Sequence, residues 1–262
     1  MRSARWFRWR QGNTSAVQSL GLWHQRRETS DSEIQLKVRM SQKSDELIEY
    51  LKSLASPEDV EGMARFGVGG GKTLGIRIPV LRKLAKAHRN DHQLATTLWA
   101  SGIHEARILA SMVDDPKQVS EAQMEAWVSD FDSWDLCDQV CMNLFDKHPL
   151  AYEKAVEWSL REEEFVKRAG FAMMAVLAWH DKTADDSAFE PFFERMQVGA
   201  QDERNFVRKA VNWALRQIGK GRPGLTGRCA KLAKTLAESE SPSARWVGKD
   251  ALREFEKKGL DV

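Results

Sequence analysis

Along residues 134–144 of the chain, Trp134, Cys137, Cys141 and Leu144 recur at spacings of three and four, which places them on one face of a helix. Asp138 stands four residues after Trp134 and beside both cysteines, so an acid sits at the edge of the face that packing should bury. The same periodicity runs from Met40 almost to the C-terminus. It predicts helices near 43–55, 57–66, 78–88, 92–100, 104–113, 120–129, 134–146, 150–160, 163–179, 188–199, 203–219, 227–238 and 243–257. Caps and breakers separate them at Ser56-Pro57, Gly69 to Gly71, Asp115-Pro116, His148-Pro149, Gly219 to Gly224 and Ser241-Pro242. Val, Ile and Thr are sparse, and no alternating run is long enough to predict a strand. The fold class read from this pattern is all-α.

Internal repetition narrows it further. FVKRAGFAMM begins at Phe165 and FVRKAVNWAL at Phe206, 41 residues apart, and Trp246 of RWVGKDALREF follows forty residues later. A period of about 40 residues with paired helices marks an α-solenoid of HEAT-like repeats. The register extends through Arg107, Asp138, Arg168, Lys209 and Lys249, at steps of 31, 30, 41 and 40 residues. One helix per repeat would then present a charged residue on a shared concave face. Asp138 is the acid among four bases. Trp213 lies four residues after Lys209 and shares its helix face. Taken singly, Trp134 and Trp213 both fit core positions. Taken with Asp138 and the bases, they offer a negative charge, aromatic faces and phosphate anchors in one groove.

Charge changes the picture in one respect. The net charge of +2 conceals residues 41–201 with 18 Lys and Arg against 27 Asp and Glu, and residues 202–258 with 14 against seven. A basic C-terminal quarter on an acidic body suggests a localised anion-binding face, although an ordinary solvated helix surface has the same composition. Three cysteines are too few and too odd in number for a disulfide framework and suggest a reducing compartment. Cys137 and Cys141 have the spacing of a metal pair, but no second pair of ligands accompanies them, and small core residues are the favoured reading. No metal or cofactor is expected. Nor is a membrane span, because no apolar run approaches about 18 residues.

Residues 1–40 differ from the rest. They are rich in Arg, Ser and Trp and lack sustained periodicity. They read as a disordered or spurious N-terminal extension, with Met40 the alternative start, or else as a transit-like leader or a basic nucleic-acid-binding arm. The folded domain is expected over 41–258. GVGGGKT at 67–73 invites a phosphate-loop reading, but the first glycine of that motif would fall on Phe66, and the preceding PEDVEGMARF is helical rather than a strand. A linker between helices is the simpler reading. A loop whose amides meet a DNA phosphate is the third.

LGIRIPVLRKLAK at 74–86, the W-D-x-x-D of Trp134, Asp135 and Asp138, the KRA of Lys167 to Ala169, and RKAVNWALR at 208–216 together resemble the DNA alkylation repair family of HEAT-like DNA glycosylases, over most of residues 43–257. The resemblance implies hydrolysis of the glycosidic bond of N3- or N7-alkylated purines in duplex DNA by a monomeric enzyme without a metal. It implies that Asp138 is the catalytic carboxylate, Trp134 and Trp213 the site tryptophans, and Arg168 a phosphate contact. Lys209, Arg208, Arg107 and Lys249 are the further expected DNA-binding residues. A bacterial member would act in the cytoplasm at the nucleoid. The longer glycine run and Cys137 depart from the family pattern. A repeat scaffold for a protein partner and a nucleic-acid-binding module without chemistry are the alternative readings.

Overall fold

The computed structural model describes residues 43–69 and 72–260. The extension read at 1–40 lies outside the described residues, as do Gly70 and Gly71. Contacts divide the chain into residues 1–46 and 47–262. Of the first unit only 43–46 are described, as the opening of a helix, α1, that runs over 43–53.

Twelve further α-helices follow among the described residues. They are α2 (Pro57–Ala64), α3 (Ile78–Ala85), α4 (His92–Ala100), α5 (His104–Val113), α6 (Glu121–Ser129), α7 (Trp134–Asn143), α8 (Ala151–Ser159), α9 (Glu164–His180), α10 (Glu190–Gly199), α11 (Asn205–Gly221), α12 (Thr226–Ala237) and α13 (Pro242–Lys257). The predicted helices are all present, and their ends are set by the expected chemistry. Ser56, Ser120 and Ser241 cap α2, α6 and α13 by accepting a first-turn amide, and Pro57 and Pro242 open their helices. Two helices end three residues short of the expectation, α3 at Ala85 and α7 at Asn143. Leu144 leaves the helical region, a 3-10 turn spans Phe145–Lys147, and His148 is extended ahead of Pro149.

The odd-numbered helices from α3 to α13 form one row, each packed on the next odd-numbered helix. Behind it α8, α10 and α12 form a second row, and α4, α8 and α12 pack on α5, α9 and α13. A single apolar cluster runs between the rows from Leu47 to Phe255. Trp99 and Trp127 stack in it with ring centroids 3.9 Å apart. Gly170 of α9 lets α8 approach closely, since a Cβ there would fall 2.4 Å from the amide nitrogen of Ser159. Cys137 and Cys141 are buried in this core, their thiols directed at the carbonyl oxygens of Phe165 and Ala169. No described helix is long and apolar enough to cross a membrane.

The segment after the glycine run is anchored by a residue that periodicity did not single out. Glu105, fully buried in the first turn of α5, accepts the amides of Leu74, Gly75 and Ile76, the shortest contact being 2.6 Å from Gly75. Lys72 donates to the carbonyl of Ser101 at 3.3 Å. Its own carbonyl accepts from His104. This is a tether between helices, preceded by a helix and not by a strand, so the nucleotide-loop reading fails on geometry.

Candidate DNA-repair site

Three helices of the odd-numbered row and the segment after α2 enclose a cavity of about 600 Å³. From α7 come Trp134, at its first position, and Asp138, one turn later. From α9 comes Arg168. Asn205, Phe206, Lys209 and Trp213 come from α11, and Arg65, Phe66 and Gly67 from the segment. The spacing of four in α7 and again in α11 puts Trp134 with Asp138, and Lys209 with Trp213, on single helix faces. Both tryptophans are half-buried.

Asp138 is the acid among the residues lining this cavity, and Arg168 grips it. Arg168 Nε lies 3.0 Å from Oδ1 and Nη2 lies 2.8 Å from Oδ2, a bidentate pair. The third nitrogen, Nη1, donates to the carbonyl of Phe206 at 2.6 Å. Burial pushes the Asp138 carboxyl above its ordinary value, and the charge and hydrogen bonds of Arg168 work in the opposite direction. Arg168 is itself held more firmly protonated by the carboxylate, against its own burial. The Asp138 side chain retains 14% exposure, so its outer lone pairs still reach the cavity. Trp134 is oriented by its indole, Nε1 donating to the carbonyl of Phe66 at 3.0 Å.

The repeat register therefore assembles Asp138, Arg168 and Lys209 but not all its members. Arg168, expected as a phosphate contact, has all three nitrogens engaged within the protein. Arg107 lies over Trp99 at 5.2 Å and donates to Asp130, away from the cavity. An alignment of charges could not register that Asp130, on the neighbouring repeat, captures it. Lys249 is exposed on α13 and does not line the cavity, and Arg208 lies over Trp246 with its Nη2 on Asn205 Oδ1. Lys209 is exposed and forms no ion pair among the described residues. Sequence reasoning missed Phe66, an aromatic 73% exposed at the cavity. Its signal was its place beside the glycine run.

A second, mainly apolar cavity of about 510 Å³ shares Phe66 and Trp134 as walls and is completed by residues such as Met63, Ile76, Ile78 and Ile108. His104 and Asp135 lie at its margin, paired at 2.9 Å. Burial is the largest influence on His104 and would lower its pKa, but the hydrogen bond and charge of Asp135 carry it above the ordinary value. Asp135 is held below its ordinary value by His104, against burial.

A family model described as DNA alkylation repair enzyme matches residues 47–255. Comparison with curated proteins gives no match. A solved structure described as one of a new family of proteins related to the HEAT-like repeat DNA glycosylases, with affinity for branched DNA structures, superposes with a TM-score of 0.70 at 18% identity. The match covers 82% of this chain and 95% of that one, and it establishes the fold. With the HEAT-like architecture in place and the family model spanning nearly all the described residues, this chain belongs to the DNA alkylation repair enzyme family.

Proposed function

We propose that the protein is a DNA glycosylase that hydrolyses the N-glycosidic bond of cationic N3- or N7-alkylated purines in duplex DNA. The observation that carries this reading is Asp138, a largely buried carboxylate at a cavity lined by two tryptophans and by Lys209, which forms no ion pair among the described residues.

The chemistry needs little more. An alkylated purine with a formal positive charge is already an activated leaving group, so no general acid has to protonate it. The bond breaks toward an oxocarbenium-like sugar, the charge type met in glycoside hydrolysis. A fixed carboxylate stabilises that cation and orients a water for attack at the anomeric carbon. One preorganised group of this kind is worth on the order of 3–4 kcal/mol. The faces of Trp134 and Trp213 add cation–π attraction of roughly 0.5–2 kcal/mol each. Arg168 keeps Asp138 ionised and in one rotamer. Because its charge is fixed, the pair presents a dipole whose negative end, the carboxylate, reaches the cavity. Lys209 contacts a phosphate and contributes affinity without sequence choice. The affinity of the structural relative for branched DNA fits a groove that accepts distorted duplex.

A DNA-binding module without chemistry is the second reading, favoured by the neutralisation of Asp138 by Arg168. Release of 7-methylguanine and 3-methyladenine from methylated duplex DNA, with wild type beside Asp138→Asn, separates the two. The glycosylase reading expects release by wild type and a drop of about 10²–10³-fold in the variant, with DNA binding retained. No release by either protein, with DNA still bound, selects the binding module.

A further inference from the structure

We infer that Gly67 is a positioning residue for the site: it seats the loop after α2 so that this one loop fixes the tryptophan wall and the Asp138–Arg168 pair together. The contacts run through two consecutive residues. Phe66 gives its carbonyl to the Trp134 indole at 3.0 Å. Gly67, next in the chain, lies against the ring of Phe206, and a Cβ there would sit 2.7 Å from Phe206 Cζ. Phe206 in turn gives its carbonyl to Arg168 Nη1 at 2.6 Å, and Arg168 holds both oxygens of Asp138. On its other side the Phe206 ring packs on Phe165, with centroids 5.6 Å apart, so it has little room to retreat.

Two independent facts require glycine here. The backbone φ of +75° is a left-handed conformation that side chains disfavour, and the space a Cβ would need is taken by an aromatic ring. A methyl group at 67 must therefore move the loop, the ring or both. Moving the loop releases the Trp134 indole. Moving the ring drags the first turn of α11 and the carbonyl on Arg168. Gly67, the first residue of the GVGGGKT stretch that resembled a nucleotide loop, thus acts in this protein as a spacer of atomic thickness between two walls of the site.

The kinetic half of the test rests on the glycosylase reading, and the spectroscopic half does not. Gly67→Ala is expected to lower kcat by about tenfold or more, the range in which sub-ångström misplacement acts. KM should change less, and the acid limb of the pH profile should move to higher pH as Arg168 loosens. In a Phe206→Leu background, where the ring is gone and the carbonyl remains, the same substitution should lose most of its effect. That background also serves if Gly67→Ala alone fails to fold. Gly62→Ala, where a Cβ meets nothing within 4 Å, is the control and should leave the profile unchanged. Independently of activity, the Trp134 indole N–H resonance, assigned with Trp134→Phe, should exchange faster with water in Gly67→Ala. An equal loss in both backgrounds, or an unmoved pH limb with an unmoved indole resonance, overturns the inference. If wild type releases no base but the indole resonance responds as expected, the glycosylase reading falls and the positioning role stands.

Discussion

The guanidinium of Arg168 donates to both carboxylate oxygens of Asp138, across thirty residues of sequence and between two helices of the same row. Among the described residues neither partner forms a second ion pair, so each depends on the other. Arg168→Met should strand the carboxylate in a buried position and destabilise the fold by about 3–5 kcal/mol, the usual result of removing one partner of a buried pair. Denaturant unfolding of the variant measures this directly. Asp138→Asn, which keeps an oxygen for the guanidinium, should cost less.

The pair also sets the acid side of the pH profile. Asp138 must be ionised to stabilise a sugar cation, and burial raises its pKa above the ordinary carboxylate value. Activity is therefore expected to fall on acidification at a higher pH than an exposed aspartate would give, and to be fully present on the alkaline side of that limb. The pH dependence of kcat/KM for 7-methylguanine release checks it. Arg168→Met should push the limb further up.

Lys209 and Arg107 entered the sequence reading as equivalents, and the structure separates them. Lys209→Ala should weaken DNA binding at all sequences and reduce the slope of log affinity against log salt by about one. Arg107→Ala should leave that slope alone and lower stability instead, since its guanidinium is tied to Asp130 and lies over Trp99. Salt titrations with both variants distinguish the roles.

The His104–Asp135 pair makes stability depend on pH from both sides. His104 has a raised pKa, so its contribution is complete below the ordinary histidine range and is lost as pH climbs through the raised value. Asp135 has a depressed pKa, so its contribution is complete above the ordinary aspartate range and is lost as pH drops through the depressed value. Stability should be highest between those limits. His104→Gln should flatten the loss on the alkaline side, as urea midpoints measured across the range will register.

Glu105 is expected to matter more to folding than its place on α5 suggests. Glu105→Ala leaves the amides of Leu74, Gly75 and Ile76 without their acceptor, at about 1–3 kcal/mol for each amide that water does not reach. A large fall in the denaturation midpoint, with the DNA salt slope unchanged, is the expected outcome.

These cases mark where sequence was informative and where it stopped. Helix periodicity and capping residues located α7, α9 and α11, because both follow from spacing within a few residues. Those helices carry Trp134, Asp138, Arg168, Lys209 and Trp213, which line one cavity, so their convergence was legible from spacing. What spacing could not express is what a charge meets across the fold. Arg107 and Arg168 occupy the same register as Lys209, yet Asp130 and Asp138 engage them, and only Lys209 is left exposed at the cavity. Glu105 was invisible for a related reason: its partners are backbone amides about thirty positions away, and amides leave no trace in the residue pattern. Phe66 and Gly67 escaped because a loop's contribution lies in its carbonyls and its φ angles.

The two sides of the cavity differ in how a lineage can alter them. Arg168 is embedded in α9, where nearly every residue from Val166 to Ala178 is buried, and a change there disturbs two helix rows at once. Phe66 belongs to the connector between α2 and α3, and its exposed ring can be replaced while its backbone carbonyl still meets the Trp134 indole. On the glycosylase reading, substrate range is therefore expected to respond to changes of the ring at position 66, while the Asp138–Arg168 pair is held in place by the packing of the solenoid.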